Sequence, residues 1–360
     1  KAFKVRKSGR ATPILVIVSS PDGNHLCGTY GEDPPIYEIK DKDQVERLCA
    51  CALNQSDKNA AIRFLSDTLP SLEFDLPGIL NEGLVSTHEL KYGCRLRKDW
   101  IEAVKKSKDI LQCSNKSLPT LLGFKRKRID NLTEILSTDQ ERIALLCCLN
   151  NSESPDIPNE RFNNISPVNY ALVKAEKESL NWVLMIQDER IRIYSTNNIG
   201  IARKNSSDSF LECQKSLISV EDAGIIWLVF SAEALQKNGT FESILSESKR
   251  FATDVAQSLR ERIYETVVPR LTMSISDARG LSNPTNEDIQ LTYEMALKVL
   301  FRLLFVAYAE DRDLLPYKTN EAYKKRSLKQ KAIELADAIK NNIEISDGSH
   351  HWDEIVSLWN

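Results

Sequence analysis

The apolar residues of this chain change their spacing along its length, and the changes mark out its elements. Residues 13–18 are β-branched and read as a strand, ended by the turn residues Pro21-Asp22-Gly23-Asn24. A short strand follows at Ile36–Ile39, then a helix capped by Asp43 that runs to Leu53, and a second over 59–69 before Pro70. Residues 84–90 follow as a further segment, 99–111 form a basic helix, and 118–122 a short one stopped by Gly123. The unbroken apolar run 143–149 is a buried strand. Ser166-Pro167, a capping serine with proline at the first helical position, opens a helix to about Leu180. Residues 182–186 and 191–194 flank the turn Asp188-Glu189 as a hairpin. From Glu221 the period is helical: 224–235 is strongly apolar, and Thr240 caps a long segment reaching residue 268. Its apolar positions, among them Ile244, Phe251, Val255, Leu259 and Ile263, keep helical spacing until Pro269 breaks or kinks it. Thr285 begins another long helix, and 328–339 adds one more.

This pattern predicts a mixed α/β protein. A small α/β unit occupies 1–75, a basic helical segment with an α/β domain 76–220, and a helical connector 221–360. At 360 residues, 42% apolar and 28% charged, the chain has a globular composition and room for two or three domains. The net charge of −3 is segregated: residues 91–130 hold twelve Lys/Arg against Asp99, Glu102, Asp109 and Asp130. Eight cysteines show no C-x-x-C spacing, which argues against zinc and for reduced thiols in a cytoplasmic protein. The longest uninterrupted apolar run in 291–317 is 303–309, far short of the roughly 20 residues a membrane span needs. The basic start and the run 14–18 lack the apolar length and cleavage site of a signal peptide.

Two short motifs suggest chemistry. Asp22, Glu38 and Lys40 match the PD-(D/E)-x-K pattern, in which two carboxylates hold Mg and the lysine activates water; Asp22 also sits where a turn favours Asp for backbone reasons. Asp33-Pro34-Pro35-Ile36 looks like the D-P-P-Y tetrapeptide of amino-methyltransferases, but Ile36 stands where an aromatic stacks on a flipped base. With no Phe-x-Gly-x-Gly loop in the chain, it reads as a proline turn. The basic cluster Arg95, Arg97, Lys98, Lys105, Lys106, Lys125, Arg126, Lys127 and Arg128 fits double-stranded DNA, whose dense phosphates reward clustered cations by counterion release. Glu294, Lys298 and Arg302 follow at i,i+4 as one narrow polar stripe on an apolar cylinder, so this helix is expected to be covered on most sides.

Several blocks, in order, resemble the pre-catalytic region of large adenine-specific DNA methyltransferases of the type IIG restriction-modification and phage-defence kind. They are the G-L-x-x-x-H-E-L and basic-Asp-Trp blocks in 81–100, S-A-E-A-L at 231–235, R-E-R-I-Y-E-x-V-V-P-R-L at 260–271, and L-F-R-L-L-F-V-A-Y-A-E-D-R-D-L-L-P-Y at 300–317. Strand 143–149, helix 167–180 and the hairpin ending in Arg192-Ile193-Tyr194 resemble the back half of a restriction-endonuclease core. Where a metal-binding Glu-x-Lys should follow the first strand, the sequence reads Asn150-Asn151-Ser152-Glu153. The resemblance therefore implies a degenerate, non-cutting nuclease-like domain and a helical spacer. Both would lead to a C-terminal methyltransferase domain that uses S-adenosylmethionine, with no residue of that chemistry and no cofactor in this segment.

Overall fold

The computed structural model describes residues 2–7, 14–21, 23–29, 34–39, 41–55, 57–69, 76–197, 200–201, 205–311, 314–317, 320–343 and 350–357. The chain is mixed α/β and divides into two compact units, Lys1–Asp254 and Val255–Asn360.

The first unit starts with α1 (Ala2–Lys7) and a three-stranded antiparallel sheet, β1 (Val16–Ser20), β2 (Gly23–Cys27) and β3 (Ile36–Ile39), in that spatial order. Helices α2 (Lys42–Leu53) and α3 (Lys58–Thr68) follow. The carboxylates of Asp41 and Asp57 accept from the first-turn amides Asp43 and Asn59, so the cap of α2 is Asp41, two residues before the predicted Asp43. Leu26, Tyr37, Ile39, Val45, Leu48 and Phe64 close a small core between sheet and helices.

The chain then runs β4 (Ile79–Asn81), α4 (Cys94–Leu96), α5 (Trp100–Leu111), α6 (Leu118–Leu121), β5 (Lys125–Arg128), β6 (Thr133–Ser137), β7 (Arg142–Cys148), α7 (Pro167–Lys177), β8 (Trp182–Gln187), β9 (Arg190–Ser195) and β10 (Phe210–Gln214). The strands form one sheet in the order β4-β10-β9-β8-β7-β6-β5. Only β7 and β8 pair in parallel, Ala144 opposite Trp182, because α7 carries the chain back between them. Ser166 caps that helix as predicted, its hydroxyl accepting from Asn169 N at 3.4 Å.

Both faces of this sheet are covered. Leu136, Leu146, Leu184, Ile193 and Leu211 pack toward α5, α8 (Gly224–Phe230) and α9 (Ala232–Leu235); Ile135, Leu145, Val183, Met185 and Tyr194 pack toward α7. Strands read as continuous apolar runs, β7 and β8, are the ones buried on both faces. By contrast, β5 is all Lys/Arg and fully exposed, and β10 carries Glu212 within its buried run, so neither shows a strand-like apolar pattern.

Helix α10 (Thr240–Arg262) crosses the division at Asp254 and continues through a π-turn, Ile263–Val267, into α11 (Val268–Ala278). Pro269 lies just inside α11. The wider turn ahead of it lets the helix continue past a residue that lacks an amide donor, so the predicted break is absorbed. The second unit adds α12 (Asn286–Asp311), α13 (Glu321–Arg326), α14 (Leu328–Lys340) and α15 (His350–Val356). Thr285 and Asp288 cap α12 reciprocally, hydroxyl to Asp288 N at 3.2 Å and carboxylate to Thr285 N at 3.1 Å. Thr292, Ala296 and Leu300 of α12 are buried, but Phe301, Leu304, Phe305 and Tyr308 are exposed. Within the second unit α12 is therefore covered on one side, short of the expected cover; among the described residues it packs mainly against α11 and α14. Among the described residues no helix is long and apolar enough to cross a membrane.

Candidate nucleic-acid interface

The basic stretch 91–130 lies on four successive elements of the first unit. A π-turn at Glu89–Gly93 leads into α4. Gly93 leaves room for the Glu89 carboxylate; a Cβ there would stand 2.1 Å from Glu89 Oε2. Burial, then the nearby Glu247, push the Glu89 pKa up. The His88 ring stacks on Phe251 at 4.0 Å. Helix α5 buries Ala103, Ser107 and Ile110, and its Trp100 lies on Gly224 of α8, where a Cβ would meet the ring at 2.9 Å. The opposite side of α5 presents Ile101, Lys105 and Lys108, one, two turns apart, to solvent.

Most of the predicted phosphate contacts are already in ion pairs. Arg95 pairs with Asp222. Arg97 makes a two-pronged contact with Asp99, at 3.0 and 3.1 Å. Lys106 lies between Glu102 (3.0 Å) and Glu233 (3.1 Å), over the Trp227 ring. Lys125 pairs with Asp139, and Arg126 with Glu134 at 2.7 Å. Arg128 donates to Asp130 O and Asn131 Oδ1. Lys98, Lys105 and Lys127 are exposed and, among the described residues, form no ion pair. The two halves of the cluster meet at α9: Glu233 holds Lys106, and the neighbouring Ala232 amide donates to Leu122 O at 2.8 Å, three residues before Lys125.

The run Lys125–Arg128 is the edge strand of the seven-stranded sheet. Alternation sends Lys125 and Lys127 to the α7 side and Arg126 and Arg128 to the α5 side. A row of cations on an edge also keeps a second strand from adding there, so β5 has a structural duty whatever it binds.

Asp22 and Lys40 lie outside the described residues, as does Asp33; Glu38 is exposed on β3 opposite His25. After β7, Glu153 accepts from Arg161 at 2.6 Å and from Asn150 N at 2.8 Å. Asp130, just ahead of β6, pairs with Lys174 of α7 at 2.9 Å and accepts from Leu132 N and Thr133 N, both at 2.8 Å. Glu153 and Asp130 thus each face a side-chain cation. Among the described residues no group of three His, Cys, Asp or Glu could hold a metal ion.

Burial alone would raise the Asp130 carboxyl; Lys174 and the Leu132 and Thr133 donors outweigh it and bring the pKa down to about 2. A depressed acid stabilises the fold above its unfolded pKa, near 4, and loses that contribution as pH falls toward 2. Asp130→Asn is therefore expected to cost about 1–2 kcal/mol in urea unfolding at neutral pH, after allowance for solvent screening, and progressively less below pH 4. An equal cost at pH 3 and pH 7 would refute the assignment.

The predicted arginine-tyrosine pair is built into the sheet. Arg192 of β9 sits opposite Glu212 of β10 and pairs with it, reaches Asp156 at 3.2 Å, and donates to Tyr194 Oη at 3.2 Å. Its guanidinium lies over Phe210, 4.4 Å from the ring centre. Burial pushes the Tyr194 phenol up to about 12, although the adjacent Arg192 pulls the other way.

Sequence reasoning did not single out the apolar side chains inside the basic surface. Tyr92, Leu96 and Ile101 are 57%, 85% and 70% exposed. The available signal was Leu96 itself, standing between Arg95 and Arg97. No protein-family model, curated protein or solved structure matches this chain.

Proposed function

We propose that the chain is a non-catalytic, DNA-contacting and spacer module at the front of a cytoplasmic, S-adenosylmethionine-dependent adenine-specific DNA methyltransferase of restriction-modification or phage defence. The observation that carries the reading is the surface of α5 and β5. Lys98 and Lys105, before and on α5, and Lys127, on the α7 side of the edge strand β5, are exposed and stand outside every ion pair described; Arg95, Lys106 and Lys125 are in solvent-facing pairs. Such exposed pairs are worth about 0–1 kcal/mol, so phosphates can replace their carboxylates at little cost. The order β7-α7-β8-β9 supports the nuclease-like reading, while Arg161 and Lys174 pair with the carboxylates nearest β7. A following methyltransferase domain would also give the exposed stripe of α12 something to cover it. The cofactor belongs to that domain in this reading; Mg would enter only through the alternative nuclease site at Asp22, Glu38 and Lys40.

Duplex DNA binding should weaken as salt rises between about 50 and 200 mM, with a log–log slope of about −3 or steeper for three or more phosphate contacts. Replacing Lys98, Lys105 and Lys127 by alanine should make the slope shallower by about one per lysine that touches phosphate. Fluorescence anisotropy over a KCl series reads both numbers. A flat salt dependence in the wild type would leave a protein-interaction scaffold as the better reading.

A further inference from the structure

The basic surface carries apolar side chains where a purely electrostatic contact needs none. Leu96 ends α4 with 85% of its surface exposed, flanked in sequence by Arg95, Arg97 and Lys98. Tyr92 lies four residues earlier on the same helical run, so the two project from neighbouring positions. After the tight turn in which Trp100 N donates to Arg97 O at 3.2 Å, Ile101 starts the outward row that continues to Lys105 and Lys108. Leu53, equally exposed at 85% on α2, differs: no cation lies within four residues of it in sequence. Leu96 is thus an apolar knob beside the unpaired Lys98 and the ion-paired Arg95 and Arg97, and these cations favour a polyanion as its partner.

Two polyanions take apolar side chains, a lipid surface and a nucleic-acid duplex. A surface-lying membrane helix needs a long apolar face parallel to the bilayer. Here α5 has its apolar face buried under α8, and over residues 89–111 the large apolar side chains left exposed are Tyr92, Leu96 and Ile101. A duplex asks for less. Proteins that kink DNA press one or two leucine- or phenylalanine-sized wedges between base steps, while flanking Lys and Arg hold the phosphates.

The geometry points to Leu96 as such a wedge: resting on the DNA-contacting reading above, we infer that this module unstacks a base step with Leu96 while Lys98 and Lys105 hold the backbone, so that it bends duplex DNA and does not merely adhere to it. Arg95 and Arg97 become available when phosphate replaces Asp222 and Asp99.

The experiment uses the whole chain and a duplex oligonucleotide with 2-aminopurine in place of scattered adenines, a base that brightens when unstacked. Wild-type protein should raise the fluorescence. Leu96→Ala should abolish the rise and weaken binding about tenfold, since an exposed leucine loses its buried contact only in the complex. Its salt slope should stay that of the wild type, because no charge has changed. Leu96→Phe should keep the rise. If the wild type binds with a steep salt slope, yet no fluorescence change appears and Leu96→Ala binds equally well, the wedge is wrong and the DNA-contacting reading stands. If no salt-dependent duplex binding occurs at all, both fail. Binding to phosphatidylserine vesicles that Leu96→Ala removes, with duplex binding unaltered, would likewise overturn the proposal in favour of a lipid surface.

Discussion

Replacing Arg192 by alanine is expected to lower the unfolding free energy of the first unit by about 3–5 kcal/mol, the range found when one partner of a buried ion pair is removed. The guanidinium occupies the α7 side of β9, in register with Glu212, with Tyr194 and Phe210 around it. Without it the Glu212 carboxylate loses its partner in a nearly closed site, and the Tyr194 hydroxyl loses its donor. The cost comes mainly from that stranded carboxylate, so removing both charges should be far milder. Arg192→Met with Glu212→Leu is expected to lie within about 1 kcal/mol of the wild type, or above it, because buried pairs recover little beyond their desolvation. Guanidinium unfolding of the wild type, Arg192→Met, Glu212→Leu and the double variant gives the coupling between the two sites. If Arg192→Ala unfolds at the wild-type midpoint, the pair is solvated and the structural role assigned to it is wrong. A readout on DNA binding separates structure from function further: the double variant should bind duplex as the wild type does, since neither side chain reaches the α5 surface.

The elements that could be read from the sequence are those whose local chemistry agrees with their surroundings. Ser166-Pro167 opens a helix in any context, and the apolar run of β7 can be satisfied only by cover on both faces. The strands that escaped are the ones whose neighbours decide. Lys125–Arg128 is a strand because β6 offers it an edge, and nothing in four consecutive cations announces that. Glu212 interrupts β10 only until Arg192 is placed opposite it. The site follows the same rule. The basic cluster was legible as composition, but which cations stay unpaired depends on Asp222, Glu233 and Asp139, residues remote in sequence from Arg95, Lys106 and Lys125. In α12 an apolar surface suggested burial all round; the second unit buries one face and leaves Phe301, Leu304, Phe305 and Tyr308 uncovered. Hydropathy shows that a surface wants cover, and only the fold shows whether it has any.

Glu310→Ala is expected to release α14 from the second unit. The acidic turn after residue 309 reads, in sequence, as a polar stop to an apolar helix, yet Glu310 is 2% exposed. Its Oε1 accepts from Leu328 N at 2.9 Å and Tyr323 Oη at 3.0 Å, and its Oε2 accepts from Lys329 N at 2.8 Å. Those two amides open the first turn of α14, and the Ser327 hydroxyl takes the next free one, Gln330 N, at 3.1 Å. A carboxylate from α12 thus completes the cap of a helix that begins 18 residues later. Alanine would strand three donors at a buried position, for a cost of about 3–5 kcal/mol, while Glu310→Gln, which keeps one acceptor oxygen, should cost less. Ser327→Ala, which removes a single cap bond, sets the scale at about 1 kcal/mol. Hydrogen exchange is the suitable measurement, because the loss should be local. The α14 amides should lose protection in Glu310→Ala while those of β7 and β8, in the other unit, keep theirs. Unchanged protection across 328–340 would mean that packing alone holds α14. In that case the conspicuous acid of the turn would have no structural task in this chain.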